Sequence, residues 1–238
     1  MITVGDGHSG LSDLRLYWQR FHPLRLLPAA KEVGTRETSE EPTIDLYWIP
    51  LGAGGSGFVR LNGRIYEAFK ARRAQRPPRA LFHTALVVQV PEGRYVIETM
   101  WPCPDDDTRT RGVVVVGPVG SRLLSRWRTF RYEVRRWQNG VLPDAGEAVG
   151  GPQTVSRDQA LARRLLDATG SVPPLIWGRD QLRTGEMWNS NSVISWLLTR
   201  TGLSMDMIHP PDGGRAPGWD AGIVIAFGET AEPAPQLR

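Results

Sequence analysis

Two β-rich runs near the middle of the chain, separated by a short turn, constrain its fold more than any other feature. Residues 80–90 (ALFHTALVVQV) and 94–101 (RYVIETMW) are rich in β-branched and aromatic side chains, with Pro91, Glu92 and Gly93 between them. Runs of this length and composition that are joined by turn residues are typical of a β-hairpin. The sequence therefore predicts an antiparallel hairpin over residues 80–101.

Further strands and two helices are predicted on either side of this hairpin. Strands are expected at residues 44–51, 113–117, 130–137 and 221–227. A helix that includes the preceding SRLLSRWR is the alternative for the third of these. Ser156 and Gln159 have the spacing of a capping box, which predicts a helix ending at Gly170. A second helix is expected after NSNS and stops at Gly202. Together these elements predict an α+β fold in which an antiparallel sheet packs against helices.

The boundaries of the folded domain follow from changes in composition. Residues 1–43 are predicted to form an amphipathic arm, which ends before Pro23, and a charged linker. The arm could lie on a membrane surface, but docking on the body of the protein is the favoured interpretation. Residues 44–228 form the expected α+β domain, and residues 229–238 are predicted to be a disordered tail.

Charge and cysteine content exclude several classes of protein. The formal net charge is +4, but basic residues alternate with acidic ones and no nucleic-acid-binding motif is present, so no nucleic-acid partner is expected. Cys103 is the one cysteine, which excludes an internal disulfide framework and a multi-cysteine zinc site, and no metal is predicted. Neither a secretory segment nor a transmembrane run is recognisable, so a cytoplasmic protein is expected.

A glycine-rich segment raises the possibility of a dinucleotide site. Gly52, Gly54 and Gly57 fit the pattern G-x-G-x-x-G. That fingerprint requires a helix to open directly on the glycines, with an acidic residue some twenty positions further on. The sequence instead continues to a turn at Asn62 and Gly63, which is typical of a hairpin. We therefore predict no cofactor.

His83 and Glu98 are candidates for a catalytic pair on the predicted hairpin. His83 begins one strand, and Glu98 interrupts the apolar run of its partner strand. A buried carboxylate needs a partner, and a histidine across the hairpin would provide one. Such a carboxylate would orient the imidazole and raise its basicity. The alternatives are a structural histidine and a glutamate that points outward to solvent.

The segment Asn189, Ser190, Asn191, Ser192 is the candidate position for a nucleophile. It precedes a strongly apolar helix, and the amides at a helix N-terminus stabilise developing negative charge. Capping is the structural alternative, because either Asn191 or Ser192 alone could cap the helix. Cys103 is a poorer nucleophile, because three acidic residues follow it closely and would raise its pKa.

These motifs, in this order, resemble the circularly permuted papain-like superfamily. The resemblance is carried by His83 in HTALVV, by Glu98 in VIE and by NSNS at the start of an apolar helix, and it covers roughly residues 44–227. The superfamily includes NlpC-type peptidases, PPPDE peptidases and relatives of lecithin retinol acyltransferase. It implies a permuted papain-like core, with His83 as the base and Glu98 as the orienting residue. Ser190 stands where the family has its cysteine.

The resemblance implies two functions. In the first, Ser190, His83 and Glu98 form a catalytic triad that hydrolyses or transfers an acyl group from an amide or ester, while Asn189, Asn191 and Trp188 contact the substrate or the oxyanion. The substrate would be a small molecule, a peptide or a lipid. In the second, the serine has replaced a working nucleophile, and the domain binds an acyl or peptidyl ligand without turnover. A structural or interaction module, in which NSNS only caps the helix, is a further alternative.

Overall fold

The computed structural model describes residues 41–52, 72, 75, 77–102 and 112–231. Within these ranges the chain forms one six-stranded sheet in which all neighbouring strands are antiparallel. The strands are β1 (Thr43–Pro50), β2 (Phe82–Val90), β3 (Gly93–Met100), β4 (Val113–Pro118), β5 (Arg131–Gln138) and β6 (Gln153–Ser156). Their order across the sheet is β4-β5-β3-β2-β1-β6. The fold is thus mixed α and β with an antiparallel sheet, as the sequence predicted.

The β2–β3 hairpin at the centre of this sheet confirms the first prediction. Its register runs from Leu86 opposite Ile97 to Val90 opposite Gly93, and the turn lies at Pro91 and Glu92. Strands β1, β4 and β5 also form where the sequence predicted them, within one residue at each end. The segment before β5 forms two short 3-10 turns, and β5 itself is a strand. The alternative of a helix that continues through residues 130–137 is therefore wrong.

Three helices lie within residues 112–231: α1 (Gln159–Ala168), α2 (Ser190–Arg200) and α3 (Trp219–Ala231). The predicted cap of α1 is wrong by two residues. Asp158 caps the helix, because its carboxylate accepts hydrogen bonds from the amides of Ala160, at 2.7 Å, and Leu161, at 2.9 Å. Ser156 instead ends β6, opposite Ile44. Proximity decides the cap, since Asp158 directly precedes the helix and its carboxylate is a strong acceptor.

The predicted strand at residues 221–227 is also wrong, because these residues belong to α3. Its buried positions are 221, 222, 225 and 226, whereas Val224 and Phe227 are exposed. That spacing is helical, although the β-branched composition of the run favoured a strand. A short apolar run cannot be assigned by composition alone. Packing against α2 decides the outcome here, as Gly222 lies directly against the Ser192 carbonyl and the Ser195 hydroxyl.

The sheet has a different environment on each face. One face carries the main core, in which even-numbered residues of β2 such as Leu86 pack with helical residues such as Val193 and Ile194. The other face carries a smaller cluster formed by Ile49, Ala85, Val87, Val96 and Leu142. Because side chains alternate along a strand, neighbouring residues of β2 face these two different environments.

Several predictions concern residues outside the described ranges. They include the amphipathic arm, Cys103, the turn at Asn62 and Gly63, and the tail beyond residue 231. In the part of the chain that the structure describes, no helix combines the length and the apolar character needed to cross a bilayer.

The close contact at Gly222 leads to a test of the α2–α3 packing. We expect Gly222→Ala to lower the free energy of unfolding by about 2–3 kcal/mol, because a methyl group there would collide with the backbone of α2. Gly228→Ala is the matched control. It lies on the same helix with no heavy atom near the added methyl, so it should be neutral or stabilise by up to about 1 kcal/mol. Urea denaturation measures both. Equal stability of the two variants would contradict the packing described here.

Candidate functional site

The first turn of α2 contains the four small polar residues, and a capping box begins it. Asn189 is the N-cap, and its side-chain oxygen accepts hydrogen bonds from the amides of Asn191, at 2.9 Å, and Ser192, at 3.3 Å. The Ser192 hydroxyl in turn accepts from the Asn189 amide at 3.1 Å. The cap therefore lies two positions before Asn191 and three before Ser192, the two caps that the sequence suggested, and Ser190 is the first residue of the helix.

Asn191 connects this turn to strand β2. Its side-chain amide donates to the carbonyl oxygens of Phe82, at 3.0 Å, and Pro217, at 2.9 Å. Its side-chain oxygen accepts from the Thr84 hydroxyl at 3.0 Å. The side chain is 3% exposed, so these three bonds satisfy a buried amide that would otherwise be costly. Asn191 thus holds the start of α2 against the start of β2.

The serines further along the helix connect α2 to α3. Ser192 donates to the Gly218 carbonyl at 2.7 Å, and Ser195 donates to the Trp219 carbonyl at 2.7 Å. Both hydroxyls are buried. Structural bonds therefore account for Asn189, Asn191 and Ser192, three of the four residues of the run.

Ser190 is the exception within this run. Its side chain is only partly buried, and in the described ranges its hydroxyl and its amide donate to no other group. A hydroxyl at the first position of a helix lies in the positive field of the helix dipole. Ser190 is therefore the residue of NSNS that remains available for chemistry.

The β2–β3 ladder opens at the end that α2 approaches. Paired residues stop at Leu86 and Ile97, although β2 begins at Phe82 and β3 continues to Met100. Within the opening, the Phe82 amide donates to the Arg215 carbonyl at 2.8 Å, and the Phe82 carbonyl accepts from Asn191. The first turn of α2 and the segment at Arg215 therefore take the backbone bonds of β2 that β3 would otherwise make.

His83 lies on the β2 side of this opening. It is opposite Ile49 of β1, and alternation places its side chain on the face opposite that of Thr84. Burial lowers the pKa of His83 to about 4, because the surrounding protein disfavours the charged imidazolium. The imidazole is therefore neutral at pH 7, which is the form that accepts a proton.

Glu98 lies on the β3 side of the opening, in a buried charged group. It is 7% exposed and directly opposite Arg135 of β5. Arg135 forms an ion pair of 2.9 Å with Glu133, and both are 3% exposed. Alternation places Glu98 and His83 on the same sheet face.

The direction of the His83 pKa change does not indicate a carboxylate partner. Burial lowers the pKa of His83, whereas a neighbouring carboxylate would raise it. Orientation of His83 by Glu98 stays a prediction.

Trp188 and Asn189, two of the predicted substrate residues, have intramolecular partners. Trp188 is buried, and its indole donates to the Tyr132 hydroxyl at 3.0 Å. Asn189 donates to the Pro217 carbonyl at 2.8 Å. The Asn191 side chain is likewise occupied. A contact between any of these groups and a substrate would require an existing bond to break, and their substrate roles stay predictions.

Sequence reasoning missed two charged residues beside the first turn of α2. Arg215 and Glu186 form an ion pair of 3.0 Å, and Glu186 also accepts from the Gly218 amide at 2.6 Å. The pair ties the loop before α2 to the segment that leads into α3. The two residues are separated by 29 positions, so no local pattern signals their contact.

Comparison with models of protein families, with curated proteins and with solved structures gives no match. Within the described ranges, no group of three or more histidine, cysteine, aspartate or glutamate side chains is arranged to hold a metal ion. The site is thus defined by its own geometry: a neutral histidine on an open strand end, and a serine at the adjoining helix N-terminus.

The lowered pKa of His83 predicts a pH-dependent stability. An ordinary histidine titrates near pH 6.5, so the unfolded chain binds a proton between pH 6.5 and 4 that the folded protein excludes. The contribution of neutral His83 to the free energy of unfolding is fully present above pH 6.5 and is lost as the pH falls towards 4. We expect this loss to be about 2–3 kcal/mol.

Urea denaturation at pH 7 and pH 4.5 measures this effect. His83→Gln should remove that part of the pH dependence, because glutamine does not titrate. His209→Gln changes an exposed histidine and should retain the original dependence. If the stability of His83→Gln and that of the unmodified protein depend identically on pH, burial does not lower the pKa of His83.

Proposed function

We propose that this chain is an acyl-transfer enzyme with a permuted papain-like core, in which Ser190 is the nucleophile and His83 is the general base. The observation that carries the proposal is the opening of the β2–β3 ladder. It brings the strand end that bears His83 close to the helix end that bears Ser190 through Asn191, which bonds Phe82 and Thr84 on either side of His83. Because the His83 side chain lies on the sheet face opposite Thr84, the proposal requires the Ser190 hydroxyl to reach the imidazole through this opening. A nucleophile at a helix start and a histidine on an adjoining strand are the arrangement that the papain-like resemblance implies.

The proposed reaction has two stages. The Ser190 hydroxyl oxygen attacks the carbonyl carbon of an amide or ester and transfers its proton to the neutral imidazole of His83. The tetrahedral intermediate then collapses, the leaving amine or alcohol takes that proton, and an acyl-serine ester remains. Water, or an acceptor amine or alcohol, releases the acyl group by the reverse sequence of proton transfers.

The first turn of α2 limits which amides can hold the oxyanion. The amides of Asn191 and Ser192 already donate to the Asn189 side chain. The Ser190 amide has no acceptor among the described residues. We therefore assign the oxyanion contact to the Ser190 amide, with the helix dipole adding to the positive field. Asn189 acts in this proposal as the residue that holds the turn in shape.

The electrostatics of His83 favour a dyad over the triad that the sequence predicted. With a pKa of about 4, the imidazole is deprotonated across the neutral range, so kcat/KM should remain level down to about pH 5. The same low pKa makes it a weak base. Glu98 lies opposite Arg135 in the strand register, and the lowered pKa of His83 is caused by burial rather than by a carboxylate.

A second function is favoured by that weak basicity. A serine hydroxyl needs a base to ionise it, and a desolvated histidine takes a proton reluctantly. In this alternative the domain binds an acyl or peptidyl ligand at the same opening without turnover. Small molecules, peptides and lipids that carry an amide or ester are the candidate ligands in both cases.

Reaction with a serine-directed fluorophosphonate separates the two functions. We expect the unmodified protein to be labelled and Ser190→Ala to lose the label completely. Ser204→Ala is the matched control, since Ser204 is an exposed serine away from the helix start, and its labelling should equal that of the unmodified protein. His83→Gln should label about 10²–10⁴ times more slowly. Glu98→Gln should leave the labelling rate unchanged if Ser190 and His83 act as a dyad, and should reduce it if Glu98 completes a triad.

A thiol introduced at position 190 tests independently whether the helix N-terminus can activate a nucleophile. In a Cys103→Ser background, Ser190→Cys introduces the nucleophile that the papain-like family carries. The helix N-terminus should hold the pKa of this thiol below about 8.5, which the pH dependence of alkylation by iodoacetamide measures. A pKa at or above that value, together with an unlabelled parent protein, would exclude nucleophilic chemistry at Ser190.

A further inference from the structure

A short, solvent-exposed loop between β4 and β5 combines arginine with large apolar side chains. We call residues 121–131 (SRLLSRWRTFR) the arginine–tryptophan loop. It forms two 3-10 turns, Leu123–Arg126 and Arg128–Phe130. Leu123 is 83% exposed, Trp127 is 47% exposed and Phe130 is 39% exposed. Three large apolar side chains within eight residues therefore meet solvent, which is unusual for a surface loop that has no partner.

Internal contacts hold this loop in a defined shape. The Arg131 guanidinium donates to the carbonyl oxygens of Ser125 and Arg126, and the Ser125 hydroxyl donates to the Arg122 carbonyl at 2.6 Å. The Arg126 guanidinium lies 3.9 Å from the centroid of the Trp127 ring. Trp127 and Phe130 form an edge-to-face pair with centroids 6.4 Å apart. The apolar side chains are thus presented outward by a preorganised backbone.

The charge of this region is strongly positive. Residues 112–131 contain four arginines and no acidic residue, so this stretch of 20 residues carries a formal charge of +4, equal to that of the whole chain. Arg122, Arg126 and Arg128 are exposed beside the apolar side chains. A positively charged surface attracts an anionic partner. The exposed apolar side chains require that this partner also offer an apolar environment.

We infer that the arginine–tryptophan loop docks the protein on the surface of an anionic lipid bilayer. Leu123 enters the boundary of the acyl chains, Trp127 and Phe130 lie at the level of the headgroups, and Arg122 and Arg126 pair with lipid phosphates and carboxylates. A nucleic acid would also attract the arginines and stack on Trp127, but it offers no apolar environment to Leu123, the most exposed of the three apolar side chains. This inference does not depend on chemistry at Ser190.

Flotation of the full chain with lipid vesicles tests the inference. The protein should bind vesicles of phosphatidylcholine mixed with phosphatidylserine and bind pure phosphatidylcholine much more weakly. Arg122→Gln should lower the partition coefficient about fivefold, because a basic residue near an anionic surface contributes about 1 kcal/mol. Leu123→Ser should lower it by about tenfold or more, through the loss of buried apolar surface. Arg131 is left unchanged because it holds the loop in shape.

Matched controls separate docking from general effects. Met207→Ser removes a side chain that is also 83% exposed, and Arg164→Gln removes an exposed arginine on α1. Both should leave the partition coefficient unchanged. Failure to bind anionic vesicles would overturn the inference, as would equal losses in the loop variants and the controls. Binding to single-stranded oligonucleotide that Trp127→Ala abolishes, without vesicle binding, would assign the loop to nucleic acid instead. Fluorophosphonate labelling of the loop variants should stay at the parental level.

Discussion

The three hydrogen bonds of the Asn191 side chain hold together the elements that form the site. One carboxamide bonds the carbonyls of Phe82 and Pro217 and the hydroxyl of Thr84, so it joins β2, α2 and the segment before α3. The group is buried, and the loss of one partner would leave polar atoms without water or protein to bond. The open end of the β2–β3 ladder is filled by the helix because this side chain replaces the missing strand bonds.

The small polar residues of α2 allow two helices and a strand end to approach closely. Ser192 and Ser195 bond the carbonyls at the start of α3, and Gly222 leaves no side chain between the two helices. A larger residue at any of these positions would separate the helices. Ser190 is only partly buried, and the proposed chemistry depends on that residue having no structural partner among the described residues.

The two titratable groups at the opening have different surroundings. His83 is kept neutral, which makes it a base that is available at neutral pH, although a weak one. Glu98 lies opposite the buried Arg135, which also pairs with Glu133. The strand register therefore gives Glu98 a basic neighbour other than His83. This difference is the physical reason for preferring a dyad in the proposed function.

The sequence by itself determined the hairpin, the flanking strands β1, β4 and β5, and the positions of α1 and α2, because these depend on local periodicity and turn residues. It also singled out Ser190, His83 and Glu98, but not their environments. Only the tertiary structure decided that residues 221–227 are helical, since contact with α2 outweighs β-branched composition there. The same is true of Asn189 as the cap, of the ion pair between Glu186 and Arg215, and of the pKa of His83, because each depends on groups that the fold brings together.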